Sequence, residues 1–140
     1  NIMKSKIHEY KKLNKNNMSK TNKIIYWVST GLLSILLLMS AGMYVFNNAE
    51  VSEMFKSFGY PVYIIYPLAF AKVSAVVVLL TQKQSKIKEW AYSALFFEFI
   101  LAFFAHYMIG DGEQMGAVIA LVLLVVSYTF GRKFFNINKD

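Results

Sequence analysis

Four long apolar runs constrain the fold of this chain more than any other feature of its sequence. They cover residues 24–46, 61–81, 90–109 and 115–130, and the fourth is close to the short limit for a membrane span. Because a helix rises about 1.5 Å per residue, about 20 apolar residues cross the roughly 30 Å hydrocarbon core of a bilayer. The sequence therefore predicts an all-α, polytopic membrane protein whose four transmembrane helices form one bundle over residues 24–131.

Basic residues alternate between the two ends of the predicted helices. Residues 1–23 carry seven lysines, the 82–89 loop carries three, and residues 132–140 carry three lysines or arginines, whereas the other two loops share only Lys56. Cytoplasmic loops are enriched in Lys and Arg, so the pattern predicts that both termini are cytoplasmic. Contact of these side chains with anionic lipid also accounts for the net charge of +7, and no nucleic acid partner is expected.

Residues 1–23 form a basic segment outside the predicted bundle, and residues 132–140 form a shorter basic tail. Four apolar residues of the first segment recur at roughly helical spacing: Met3, Ile7, Tyr10 and Leu13. The segment is either a disordered tail, which its lysine- and asparagine-rich composition favours, or a short amphipathic helix on the membrane surface. Met18 is in addition a candidate start of the natural chain.

The loop between the first two predicted spans carries a helical pattern of its own. Apolar residues at helical spacing within residues 47–60 predict a short interfacial helix: Val51, Met54, Phe55 and Phe58. Gly59 then predicts a turn, with Pro61 as the first residue of the second span. Pro67 lies inside that span, where a proline is expected to kink the helix.

Two charged residues lie inside the apolar runs, Lys72 in the second and Glu98 in the third. A charge at bilayer depth costs about 2.5–3.5 kcal/mol on insertion scales, so each residue needs a partner, a proton or a water-filled cavity. Each lies about eleven residues from the outer end of its run, at a depth of roughly 16 Å. Since a short loop makes these two helices antiparallel neighbours, the sequence predicts a direct contact between Lys72 and Glu98.

The predicted pair leaves two interpretations open. A structural ion pair would set how the two helices dock, since buried pairs can fix register even where they add little net stability. A functional pair would be a proton site or a ligand site in the bundle, because ionisable groups inside membranes are functional candidates by default.

Further polar residues lie toward the outer end of the third run. His106 follows Glu98 by eight residues on a predicted bundle-facing stripe of small residues: Ala91, Ala94, Ala102 and Ala105. His106 is a candidate for a proton relay to Glu98 or for a hydrogen-bond donor to a quinone carbonyl, and the simpler interpretation is a satisfied polar residue at the interface. Asp111 and Glu113 lie in the segment that follows. The simplest interpretation of this segment is a turn, and the alternative is a cation site.

Several classes of enzyme and cofactor site do not fit this sequence. The chain has no cysteine, which excludes a thiol relay, a cysteine-held iron–sulfur cluster and disulfides. It has no Ser/His/Asp grouping and no Gly-rich phosphate loop. His106 is the one histidine inside an apolar run, so a haem held by two histidines is not expected, and ligands for zinc or copper are too few. We expect no metal site and, more readily than an enzyme, a protein without activity of its own.

Short motifs recur in order along residues 24–130. They are Ser40-Ala41-Gly42, Phe58-Gly59-Tyr60-Pro61 with Tyr63, Ala71-Lys72, Lys88-Glu89-Trp90-Ala91-Tyr92, and His106 with Gly110-Asp111-Gly112. Their order and spacing resemble the DoxX-like family of small bacterial four-helix membrane proteins. The resemblance implies a bundle in the bacterial inner membrane and, for some relatives, links to quinone-dependent respiratory or sulfur-compound oxidation. Many relatives carry a lysine soon after the first-helix glycine, whereas the residues after Gly42 here are Met43, Tyr44, Val45 and Phe46.

Three functions follow as hypotheses. The first is an accessory subunit of a membrane redox enzyme that binds quinone or another small ligand near Lys72, Glu98 and His106. The second is a proton-coupled exporter of small cations that uses Glu98. The third is a structural membrane module whose ion pair only sets helix register. In each case the chain contacts the lipid bilayer, and a homodimer is an open alternative to a single copy.

Overall fold

The computed structural model of the chain describes residues 1–81 and 85–137, and the described part consists of helices and short turns, without a strand. In chain order it contains α1 (Ile2–Phe46), α2 (Asn48–Phe58), a 3₁₀ turn (Val62–Ile64), α3 (Ile65–Leu79), α4 (Lys86–Ile109) and α5 (Gln114–Ile137). Helices α1, α4 and α5, and the 3₁₀ turn together with α3, are long and apolar enough to cross a membrane. The prediction of an all-α protein with four membrane-spanning helices is therefore confirmed. The loop residue Lys83 and the tail residue Lys139 lie outside the described residues.

Helix α1 begins far earlier than the first predicted span. It starts at Ile2, where the Asn1 side chain accepts a hydrogen bond from the Met3 N–H at 3.0 Å, and it continues without a break to Phe46. Residues 2–23 therefore belong to the same helix as the first span. The apolar residues of this helical extension, such as Met3 and Tyr10, are exposed. Its contact with a membrane surface stays a prediction.

The four long helices form a ring in which α1 is the most extensively packed member. Helix α1 lies along α5 on one side and along α3 on the other, while α4 packs on α5 and, over a shorter stretch, on α3. The main core cluster takes side chains from all four helices, including Leu33, Leu37, Val76, Leu95 and Leu124. The predicted neighbours α3 and α4 are therefore in contact, and the ring closes between them.

Helix α2 covers one end of the bundle. Its buried residues Val51 and Phe55 pack on Ile65 at the start of α3 in a second core cluster. The helix ends at Gly59, whose φ of +79° is left-handed, and the Tyr60 N–H returns to the Phe55 carbonyl at 2.9 Å. Glycine adopts this conformation without steric penalty, which allows the chain to turn sharply into α3. The predicted short helix and the turn after it are both present.

The predicted kink at Pro67 is wrong. Pro61 precedes the 3₁₀ turn in an extended conformation (φ −64°, ψ 135°), and α3 begins at Ile65. Pro67 is then the third residue of α3, a first-turn position where a helix needs no donor from its N–H. The irregularity lies before the proline, and α3 runs without interruption past Lys72.

The predicted bundle-facing stripe of α4 is also wrong in part. Ala105 is buried, but Ala94 is exposed, and the buried face consists mainly of large side chains: Lys88, Tyr92, Leu95 and Phe99. These residues are spaced by three and four positions, which is the periodicity of one helix face. Large apolar side chains, and not the alanines, therefore fill the space between α4 and its neighbours. The phenylalanines at 96, 97 and 104 are exposed.

Candidate functional site

Lys72 and Glu98 meet between α3 and α4. The Lys72 ammonium donates a hydrogen bond to Glu98 Oε1, and the two groups form an ion pair. The Lys72 side chain is 6% exposed, whereas that of Glu98 is 25% exposed. The contact predicted from equal depth is present, and the carboxylate is its more accessible member.

A third helix contributes to the environment of Lys72. The Lys72 Nζ lies over the Tyr44 ring of α1 at 5.1 Å from the ring centroid. The face of an aromatic ring attracts a cation, most effectively where water is excluded. Tyr44 is in turn held edge-on against Phe55 of α2, with 5.5 Å between the ring centroids. The ammonium is therefore enclosed by a carboxylate from α4 and an aromatic face from α1.

His106 belongs to a different group at the end of α4. Its Nδ1 is 2.7 Å from Asp111 Oδ2, and its ring packs edge-on against Phe58 of α2 at 5.0 Å between centroids. Gly110, with a φ of +70°, ends α4 and turns the chain so that Asp111 comes back to the histidine five residues earlier. The pair therefore closes the turn between α4 and α5.

Asp111 is the centre of that turn. Its Oδ1 accepts the Glu113 N–H at 2.9 Å, while Oδ2 faces His106. The Glu113 N–H and then the His106 ring lower the pKa of Asp111 below its ordinary value, because hydrogen bonds to a carboxylate favour its charged form. Glu113 takes part through its backbone, and its side chain is among the exposed ones.

The five candidate residues thus divide into two groups. Lys72 and Glu98 form one, and His106 and Asp111, with the Glu113 backbone, form the other. Among the hydrogen bonds and ion pairs of residues 1–81 and 85–137, none joins His106 to Glu98. Within the same described ranges, no three His, Asp or Glu side chains are close enough together to hold a metal ion.

Two grooves on the helix surfaces lie away from the ion pair. One, of about 530 Å³, lies between α1 and α3 and has mainly apolar walls, including Leu38, Gly42 and Phe70. The other, of about 400 Å³, lies between α4 and α5 and combines apolar walls with Glu89 and Tyr128. Neither groove is lined by Lys72, Glu98 or His106. The ion pair therefore lies outside both of these grooves.

A second buried lysine was missed at the sequence level. Lys88 is 2% exposed, and its Nζ donates to the Tyr26 hydroxyl at 2.6 Å and to the Thr81 carbonyl at 2.9 Å. The Tyr26 hydroxyl donates in turn to the Leu79 carbonyl at 3.1 Å. These carbonyls lie at the C-terminal end of α3, where unpaired C=O groups and the helix dipole favour a cation. Lys88 therefore caps α3 from α4 and ties both helices to α1.

Buried hydroxyl groups continue this polar layer toward α5. Ser127 Oγ is 2.6 Å from Thr30 Oγ1 and 2.7 Å from the Tyr92 hydroxyl. Each of these hydroxyls finds a partner, which it requires because an unpaired polar group in an apolar interior is costly. The layer links α1, α4 and α5 at one level of the bundle, close to the end where the Lys and Arg residues collect.

The fold and its buried ion pair define a multi-pass helical membrane protein with charge held inside the bundle. A sequence model of the DoxX-like family matches residues 28–128, more than half of the chain, and the chain belongs to the DoxX-like family. The matched region runs from α1 to α5 and includes both groups of candidate residues. A comparison with curated proteins found no match, and neither did a comparison with solved structures.

Proposed function

We propose that this DoxX-like protein is an accessory subunit of a redox system in the inner membrane of a bacterium, and that it binds a quinone-like amphiphile at Glu98. In this proposal the protein catalyses no reaction of its own. With four spans, both termini of the chain lie on the same side of the membrane. The excess of Lys and Arg on that side favours the cytoplasm.

The unequal exposure of the two charges carries the proposal. Lys72 is almost completely enclosed, while a quarter of the Glu98 side chain is exposed. The ion pair uses Glu98 Oε1, and in this proposal the second carboxylate oxygen accepts a hydrogen bond from the ligand. An ion pair that only docks two helices would be more stable with both charges fully enclosed, because exposure to lipid is unfavourable for a carboxylate.

The chemistry of Glu98 favours the reduced form of such a ligand. An ionised carboxylate accepts hydrogen bonds and donates none. A quinol has two hydroxyl donors that can bind the carboxylate. A quinone has only carbonyl acceptors, so it would need a hydrogen bond from the Lys72 ammonium, which already donates to Glu98. Exposed apolar residues near Glu98 on α4, such as Leu101, offer a surface for a hydrocarbon tail. We therefore expect quinol to bind more tightly than quinone.

The proposal is tested by identifying what co-purifies with the protein. Wild type, Glu98→Gln and Glu50→Gln are purified in mild detergent, and bound lipids, quinones and proteins are quantified by mass spectrometry. Glu50 is an exposed carboxylate of α2, so its variant controls for the loss of one charge. Quinone or a defined partner protein should be present in wild type and Glu50→Gln and depleted in Glu98→Gln. Bulk lipid alone in all three samples would contradict the proposal.

A structural role of the pair is the second candidate, and a specific observation favours it. The Lys72 ammonium contacts Glu98 of α4 and the Tyr44 ring of α1, so it connects three helices at one point. In this alternative the charges fix the register of the helices and nothing else. Export through Glu98 would require the carboxylate to leave Lys72 in each cycle, and it stays a prediction of the sequence.

A further inference from the structure

The groove between α4 and α5 has a polar end and an apolar end. On α4 its lining residues recur at the spacing of one helix face: Glu89, Tyr92, Ser93, Phe96 and Phe97. On α5 it is lined by Leu124, Val125 and Tyr128. Eight residues separate the first and last lining positions of α4, a length of about 12 Å along the helix. The groove therefore reaches across most of one leaflet of a bilayer core roughly 30 Å thick.

Opposite charges meet at Tyr128, which lines the polar end of this groove. The Tyr128 hydroxyl donates to Glu89 Oε2 at 2.9 Å and accepts a hydrogen bond from Arg132 Nη1 at 3.0 Å. The guanidinium also lies over the Tyr128 ring, 5.7 Å from its centroid. A carboxylate and a guanidinium are thus held on either side of one hydroxyl. This arrangement is complementary to a headgroup that carries a positive and a negative charge a short distance apart.

The apolar end of the groove is suited to hydrocarbon. Of its apolar lining residues, Leu124 is buried, whereas Phe97 of α4 and Val125 of α5 are exposed. Since α4 and α5 are membrane-spanning by length and composition, this part of the groove is open to acyl chains. The polar end lies near the first turn of α4 and close to the end of the span in α5, which is the level of lipid headgroups.

We infer that the α4–α5 groove is a binding site for one phospholipid with a primary ammonium headgroup, phosphatidylethanolamine in chemical terms. The ammonium donates to Glu89, the phosphate pairs with Arg132, and one acyl chain lies along the groove between Phe97 and Val125. A primary ammonium has three N–H donors for a carboxylate, whereas the quaternary ammonium of phosphatidylcholine has none, and phosphatidylglycerol has no cation. The site is separate from the Lys72–Glu98 pair, and the inference does not depend on the function proposed for that pair.

Native mass spectrometry of the full chain tests this inference. The detergent-washed protein is mixed with equal amounts of phosphatidylethanolamine, phosphatidylcholine and phosphatidylglycerol that share the same acyl chains. Wild type should retain phosphatidylethanolamine most tightly. Glu89→Gln keeps an acceptor for Tyr128 but removes the charge, so the preference for phosphatidylethanolamine should fall about tenfold, as expected for loss of one charge-assisted hydrogen bond.

A second variant separates the tail site from the headgroup site. Val125→Phe fills the apolar end and should weaken binding of all three lipids, while the surface control Glu50→Gln should behave as wild type. Equal retention of the three lipids by wild type would overturn the inference, and so would a preference that survives both Glu89→Gln and Val125→Phe. Displacement of the bound phospholipid by an added benzoquinone with a short alkyl tail would also overturn it, because the groove would then belong to a different amphiphile.

Discussion

Inside the bundle, two protein groups take the place of the water that would otherwise hydrate the Lys72 ammonium. The Glu98 carboxylate supplies a counter-charge, and the Tyr44 ring supplies an apolar face that attracts cations. Neither partner alone would compensate for placing an ammonium inside the bundle. The three side chains should therefore respond to substitution as a unit and not independently.

Removal of either charge alone is expected to destabilise the bundle more than removal of both. Lys72→Met leaves the Glu98 carboxylate without a counter-charge, and Glu98→Leu leaves the ammonium without one, so each should lower the free energy of unfolding by about 3–5 kcal/mol. Lys72→Met together with Glu98→Leu should be clearly more stable than the sum of the two losses predicts. The free energy of unfolding in detergent is measured for wild type, the two single variants and the double variant. Additive losses would show that the two charges are not coupled.

Acidification is expected to remove the contribution of Asp111 to the turn after α4. Its pKa is lowered in the folded protein, so the stabilisation is present above the ordinary aspartate pKa of about 3.9 and is lost as the pH falls through the lower folded value. Wild type should therefore melt at a higher temperature than Asp111→Asn at pH 7, and the difference should shrink as the pH falls below about 3.9. Glu50→Gln serves as the control. An unchanged difference at low pH would contradict this role.

The residue pairs differed in how far the sequence could predict them. The contact of Lys72 with Glu98 followed from equal depth on neighbouring antiparallel helices, because depth depends only on residue number. The partner of His106 did not follow. A spacing of eight residues put His106 on the face of Glu98 but about 12 Å away along the axis, and its actual partner Asp111 depends on the backbone conformation of Gly110.

At the scale of helices, α1 and α5 approach each other closely at Gly131. Gly131 of α5 faces the Tyr26 ring of α1, and a Cβ built on Gly131 would lie 2.8 Å from Tyr26 Cε2. The hydroxyl group of the same tyrosine accepts a hydrogen bond from Lys88 Nζ. The absence of a side chain at Gly131 therefore sets the position of Tyr26 and, through it, the cap at the end of α3.

Substitution of Gly131 is expected to disturb this contact. Gly131→Ala forces the Tyr26 ring to move and should lower the free energy of unfolding by about 1–3 kcal/mol, the usual effect of overpacking. Gly116→Ala is the matched control in the same helix, because nothing lies within 4 Å of its added Cβ. The control should be neutral or slightly stabilising, since alanine favours helix. Equal melting temperatures for the two variants would contradict the packing described here.

Helix periodicity predicted the number of spans and the short α2, but helix ends were less predictable. The third span was expected from Trp90, whereas α4 begins at Lys86. Because the predicted span began one turn too late, Lys88 was assigned to the loop before it and was interpreted only as a topology signal. A periodic pattern through Lys88, Tyr92, Leu95 and Phe99 was available in the sequence, and it marks the buried face that the alanine stripe did not.

At the scale of the whole molecule, the orientation of the bundle in the membrane is open to a direct test. The native chain has no cysteine, so single cysteines can be placed at exposed positions at opposite ends, Ser5→Cys and Glu113→Cys. A membrane-impermeant maleimide should label Glu113→Cys in intact cells and Ser5→Cys only after permeabilisation, as the distribution of Lys and Arg predicts. Labelling of Ser5→Cys in intact cells would reverse the proposed orientation.

The central claim is that the exposed side of the Lys72–Glu98 pair binds a quinol-like molecule. Equilibrium binding of a short-tailed benzoquinol to the purified protein tests it most directly, with the corresponding quinone as the second probe. Wild type and Glu50→Gln should bind the quinol more tightly than the quinone. A folded Lys72→Met/Glu98→Leu variant should lose about tenfold or more in quinol affinity. Unchanged quinol binding by that folded variant would contradict the claim and leave the pair with a structural role.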